Sequence, residues 1–508
     1  VRRVLRRYDE HLSEAEREVM ESFSAFRLPV KEAALADLGG SSGFLNQLVN
    51  YRMLRYDNRL QHYTTHPLIR SHYLERLKEK PIEVVQALHN RIKEWYLDIA
   101  GEMPELPTLD QLAPLIEAVH HACQAGEYDE ANDDIYWERI YQKTSRVIIH
   151  KLCAYETNLA IMQEFFPQGD TLQDPQVSQP SDKAFILNEI ALCLMNLGRL
   201  REASPFYERK NHIRISQSDW YNASAGYYSL SDLYAYLGDL AASAESAREA
   251  IALSDRAENK NYKCYSLARL AYAKFLQGSG TTAGEPFQQA EALQREIDSS
   301  KQYLYSDIGS FHAEYLLRYG EADYARRVTE ANLEICKRNN WLDNISRSHR
   351  VLGDLGIDPQ VHYVEALKIA RSISFRAVLI EALLGYGRWL VGLGLIPISQ
   401  EVVQAISHSQ TEQCYMLSLR TNENPRNEND LVLARQHLDE ALTYATTGGY
   451  RRYEADLRIA LAWLHWREGD LITARREADR AKRASDEMGY FWGRVDAINY
   501  ELRITRID

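Results

Sequence analysis

The chain has 508 residues, 45% of them hydrophobic, with 60 Lys and Arg against 72 Asp and Glu and a net charge of −12. That length exceeds one compact core and requires several domains or a solenoid, and the hydrophobic content excludes wholesale disorder. The acidic balance argues against a nucleic-acid binder unless one face is locally basic.

No signal peptide is evident and no apolar run approaches the ~18 residues of a membrane span, so a soluble cytoplasmic protein is expected. Cys123, Cys153, Cys193, Cys264, Cys336 and Cys414 fall one per helical segment, without CxxC or Cys/His clusters. They read as small buried hydrophobes in a reducing compartment, with no metal site. The 32 Tyr against 12 Phe favour half-buried helix faces and binding surfaces, because Tyr keeps a polar tip.

In chain order, Val1–Glu10 is a basic amphipathic helix end. Ser13 with Glu16 forms a capping box that starts a helix to about Phe26, with Ala15, Val19, Phe23 and Phe26 on one face. Pro29 breaks it. Short helices follow over Lys31–Leu38 and Gly43–Met53, then a hairpin over Leu54–Tyr63 with its turn at Asp57-Asn58. Three helices plus a hairpin read as a winged helix over residues 1–80. His66-Pro67 opens another helix, with Pro67 in the first turn where its missing N–H costs nothing.

The run Val4–Leu12, the capped helix and His66-Pro67-Leu68-Ile69-Arg70 together resemble the winged-helix region of signal-transduction ATPases with numerous domains (STAND proteins, the NB-ARC and NACHT class). In that family the segment follows the nucleotide-binding and helical subdomains. A histidine in a Met-His-Asp motif touches bound ADP and holds the inactive state. His66 matches that histidine, and Thr65 and Pro67 stand at the flanking positions. The resemblance implies an upstream nucleotide-binding domain that holds ADP or ATP. The chain itself has no Walker A loop, since Gly39-Gly40-Ser41-Ser42-Gly43 lacks the following Lys and reads as helix punctuation. No GxSxG or HExxH motif is present either, so the chain is not expected to be an enzyme. The candidate recognition helix of the winged helix, Ser41–Met53, has one basic residue, Arg52, which speaks against DNA binding.

Residues 81–181 read as a helical linker with the first degenerate repeats. Pro81–Ala100 is amphipathic, Pro104 and Pro107 mark a connection, and Leu112–Ala125 with Gly126 and Ala131 forms a first repeat unit. His120, His121 and Cys123 sit close in sequence, but adjacent helix positions point apart. A further helix is expected over Ile148–Phe166, then an exposed loop over Gln168–Ser181.

Residues 182–508 read as a repeat array. Turns recur at Gly126, Gly198, Gly238, Gly278, Gly320, near Gly356–Asp358, Gly394, near Asn429 and Gly469, mostly 35–42 residues apart. A small residue follows five positions later at Ala203, Ala283, Ala325, Ala434 and Ala474, and another seven beyond that at Ala250, Ala290, Ala441 and Ala481. Residues 224–255 show the unit most fully: a helix, a turn at Gly238 and a second helix, with Ser231, Ser243 and Ala250 where the two must approach. This is the pattern of a tetratricopeptide repeat, a helix–turn–helix of roughly 34 residues that must stack on its neighbours. The fold expected is all-α: a winged helix, then a right-handed tetratricopeptide α-solenoid ending in a capping helix over Val495–Ile504. Residues 391–430 fit the repeat worst.

In this repeat class the first helix of each unit lines the concave groove. The register places Asn188, Tyr228, Asp232, Tyr265, Tyr272, Asp307, Glu314 and Arg388 there, a surface suited to a protein or peptide segment. Arg269 and Lys274 stand alone, so no Lys/Arg carboxylate clamp is evident. The reading that follows is the ligand-sensing region of a STAND-type ATPase, with ligand-induced homo-oligomerisation. A free-standing scaffold or adaptor is the first alternative, and a winged-helix DNA-binding regulator the second.

Overall fold

The computed structural model describes residue 9 and residues 11–279, 281–393 and 427–504. Most of Val1–Glu10, Gly394 and Cys414 lie outside them. Among the described residues the chain is helical apart from one two-stranded hairpin. It divides into two compact units, one of residues 1–152 with 160–183, the other of 153–159 with 184–508.

The first unit opens with α1 (Glu14–Ala25), capped by the Ser13/Glu16 box, then α2 (Glu32–Ala36) and α3 (Ser42–Asn50). Strands β1 (Arg55–Asp57) and β2 (His62–Thr64) pair antiparallel, and Val30 bridges to Tyr63. The turn is wider than Asp57-Asn58, because the Asp57 carboxylate accepts both the Arg59 and Leu60 N–H groups. α4 (Pro67–Lys78) starts with His66 as N-cap. Asp9 is held by the Tyr73 hydroxyl at 2.6 Å and by His72 and Arg76. α5 (Ile82–Ala100) and α6 (Leu109–Ala125) follow, and Gly126 ends α6 in the left-handed region. Beyond it the chain does not form a regular second helix. Tyr128–Glu130 (α7) continues as π-helical turns over Ala131–Ile140. The expected helix over Ile148–Phe166 is also broken: Cys153 takes φ +49, and α8 spans only Tyr155–Gln163.

In the second unit helices alternate regularly. The first helices of the pairs are α9 (Pro180–Asn196), α11 (Trp220–Leu237), α13 (Lys260–Leu276), α15 (Ser306–Arg318), α17 (Leu342–Asp354) and α19 (Arg376–Leu390). Their partners are α10 (Leu200–Ser216), α12 (Leu240–Arg256), α14 (Thr281–Ile297), α16 (Ala322–Asn339) and α18 (Pro359–Ser372). α20 (Glu428–Gly448), α21 (Arg451–Arg467), α22 (Leu471–Met488) and α23 (Phe491–Ile504) complete it. Ala203, Ala250, Ala283, Ala290, Ala325, Ala434, Ala441, Ala474 and Ala481 are all fully buried, as close helix approach demands. The turn after α19 falls at Gly392, and Asn429 lies in the first turn of α20.

The array closes on itself. The left-handed turn glycines of three successive pairs each seat against the C-terminal helices: Gly198 against Tyr450, Gly238 against Met488 and Gly278 against Phe491. The Trp492 indole donates to the Phe275 carbonyl at 2.9 Å, and Arg318 pairs with Asp496 at 2.8 Å. α23 is therefore not a polar end cover. Trp492, Val495, Ile498 and Tyr500 are buried, because the helix packs on α13 and α15 rather than facing solvent.

Candidate functional site

Helices α11, α13, α15, α17, α19 and α21 carry buried or half-buried charged side chains that meet in the interior of the second unit. In α19 the run Leu379-Ile380-Glu381-Ala382-Leu383 places one carboxylate among aliphatic residues. Buried ions need partners, and here these come from neighbouring first helices.

One cluster gathers around Arg269 of α13. Its guanidinium contacts Asp232 of α11 at 2.7 Å and also Asp307 of α15 and the Tyr228 hydroxyl. Tyr228 in turn donates to Asp307 at 2.7 Å. Burial alone would push the Arg269 guanidinium down, but Asp232, Tyr228 and Asp307 carry it above its ordinary value. Burial raises Asp232 despite the arginine. A second cluster centres on Arg347 of α17, which pairs with Glu381 at 2.9 Å and donates to Tyr236 at 3.1 Å. Tyr453 of α21 also donates to Glu381. Burial opposes ionisation of Glu381, yet Arg347 and Arg350 hold it below the usual carboxylate range.

Between α13, α15, α17, α19 and α21 lies a recess enclosing about 450 Å³ of empty space, part of it open solvent. Tyr272 stacks on Phe311 with centroids 4.2 Å apart. The Tyr272 hydroxyl donates to Glu314 at 3.0 Å and accepts from Arg452 at 3.2 Å. Arg350 pairs with Asp354 at 2.8 Å. Asp456 accepts from Tyr490 at 3.0 Å, and burial pushes its carboxyl up to about 6.

Of the eight groove residues expected from the sequence, Tyr228, Asp232 and Asp307 meet at Arg269. Tyr272, Glu314 and Arg388 line the recess. Half-buried Tyr265 packs its ring near Tyr228 and Tyr262. Asn188 donates to its neighbour Glu189. Arg269 does not stand alone, and Arg347, Arg350, Glu381, Arg452 and Asp456 were not singled out at all. Glu381 had a signal, a carboxylate inside the apolar run 379–383, whereas Arg347, Arg350, Arg452 and Asp456 stand in polar stretches and had none.

In the first unit, exposed His66 accepts the Leu68 N–H on Nδ1 at 3.2 Å. In the neutral ring this places the proton on Nε2, which becomes a donor at a helix N-terminus. His120 pairs with Glu164 at 2.9 Å, while His121 faces His89 at 2.8 Å. Cys123 is buried beside them, and among the described residues no group of three or more His, Cys, Asp or Glu is placed to hold a metal. No helix among the described residues is long and apolar enough to cross a membrane.

A tetratricopeptide-repeat family model matches residues 224–256. The comparison with curated proteins gives no match. Among solved structures the chain is similar to a STAND protein with a tetratricopeptide repeat sensor from Pyrococcus horikoshii, with 13% identity and a TM-score of 0.38. The similarity covers 93% of this chain but only 63% of that protein's length. It is also similar to the Rap conjugation gene regulator of the plasmid pLS20, solved with the Phr* peptide. There the identity is 12%, the TM-score 0.42, and the coverage 81% of this chain and 97% of the regulator. Among the described residues the chain is a predominantly helical repeat protein, with a tetratricopeptide unit at residues 224–256.

Proposed function

We propose that the chain is the ligand-sensing, regulatory region of a STAND-type signalling ATPase, and that the array receives a protein or peptide ligand on its interior face. Residues 1–80 are read as a winged-helix domain. The observation that carries the proposal is His66: it caps α4 through Nδ1 and is exposed, so Nε2 is free to donate to a nucleotide phosphate held by a preceding domain. The array supplies the other half of a switch. Its interior is a set of charged groups whose pairing spans many helices, so a ligand that replaces some of these contacts shifts the closed arrangement toward another. Release of that arrangement would permit nucleotide exchange and homo-oligomerisation.

The test is nucleotide retention by the protein as its natural gene encodes it. His66→Ala is expected to lower the fraction of co-purified ADP roughly tenfold, as loss of one hydrogen bond to a charged group predicts. Unchanged retention would leave the scaffold reading in its place.

A further inference from the structure

The recess between α13, α15, α17, α19 and α21 differs from the rest of the interior in how its charges are matched. Arg269, Arg318 and Arg347 each contact a carboxylate within 3 Å. Arg452 and Arg388 do not: among the described residues neither has a carboxylate within 4.0 Å. Arg452 is 4% exposed, makes one hydrogen bond, to the Tyr272 hydroxyl, and leaves its Nε buried without a partner. On the opposite sign, Asp456 accepts only from Tyr490 among the described residues, and Glu314 lies 3.8 Å from Arg350 with Tyr272 as its close donor. Among the described residues Arg388, Arg452 and Asp456 thus line the cavity without an ion pair, and Glu314 meets Arg350 only at 3.8 Å.

Charges held apart are under-compensated, because guanidinium and carboxylate groups gain most from direct, bidentate contact. A group carrying both signs compensates all four at once. We infer that this recess binds a small zwitterion of α-amino-acid or dipeptide type. Arg388 and Arg452 take its carboxylate, Asp456 and Glu314 its ammonium, and the Tyr272–Phe311 stack flanks its side chain. The assignment rests on the reading of the array as a ligand receiver and names the chemistry of that ligand.

The experiment uses the 508-residue chain and follows its thermal midpoint with free L-amino acids and Gly-Xaa dipeptides, each at about 10 mM, with sodium chloride as the ionic-strength control. At least one zwitterion is expected to raise the midpoint. N-acetylation, which removes the ammonium, and amidation, which removes the carboxylate, should each weaken binding roughly tenfold or more by calorimetry. Arg388→Gln and Asp456→Asn should each abolish the shift with unchanged circular dichroism, whereas Arg435→Gln, which pairs with Glu468 and does not line the recess, should keep it. A stronger response to dipeptides identifies a peptide source and a stronger response to single amino acids a metabolite source; both support the site. Three results overturn it: no compound shifts the midpoint, blocked derivatives act as well as the zwitterions, or Arg388→Gln still responds. The recess then holds solvent only. A negative panel with His66-dependent nucleotide retention removes this assignment and leaves the sensor reading intact.

Discussion

At the scale of single residues, the abundant Tyr is explained by buried carboxylates. Tyr228, Tyr272, Tyr363, Tyr453 and Tyr490 each donate to an Asp or Glu on another helix or a neighbouring turn. A phenol supplies both apolar area and one donor, which suits a charged interior. The arginines are the other half, and removing one strands its partner. Arg347→Met is expected to cost about 3–5 kcal/mol in urea unfolding, and Arg347→Met with Glu381→Leu to recover most of it. Equal losses in both variants would contradict the pairing. The buried His89–His121 contact makes a pH prediction. Burial, then the charge of His120, push His89 down to about 4. A depressed histidine contributes stability that is whole above its unfolded value of about 6.5 and is lost as pH falls through the folded value. Unfolding midpoints between pH 7 and 4 should therefore fall less steeply in His89→Gln than in the natural sequence. These partnerships were not legible in the sequence, because Arg347 and Glu381 lie 34 positions apart, and Arg452 and Tyr272 180.

At the scale of elements, most of the array was readable. A small residue five positions after a turn is demanded by the close approach of the paired helices, and each such alanine is buried. The capping box at Ser13 and the break at Pro29 were legible because both are local chemistry. The turn glycines were legible as turns but not as docking points. Gly278 has φ +75, and a Cβ there would lie 2.3 Å from the Phe491 ring, whereas Gly469 has φ +83 and open space. Gly278→Ala should therefore destabilise by more than the ~1–2 kcal/mol of backbone strain alone, and Gly469→Ala by that strain only. Hydrogen exchange across residues 491–504 should speed up in the first variant and not in the second. Equal behaviour would show that α23 does not depend on that contact.

At the scale of the whole molecule, closure of the array was not legible, since Trp492 meets a carbonyl 217 positions earlier. It changes the expected site. An open concave groove would present Tyr228, Asp232 and Asp307 to a ligand, whereas here they are committed to Arg269, and a recess lies instead at Arg388 and Arg452. A closed array with one under-compensated recess is suited to sensing, because a bound ligand alters contacts shared by several helices. Under the proposed sensor reading, the output would come from a nucleotide-binding domain encoded upstream of Val1, with His66 as its contact. The most direct test is the gene sequence upstream of the Val1 codon. The account predicts a continuous reading frame that encodes a GxxxxGK[ST] loop with acidic residues placed for a nucleotide-bound metal. A start codon at Val1 with no coding sequence before it would contradict the sensor reading and leave a free-standing adaptor.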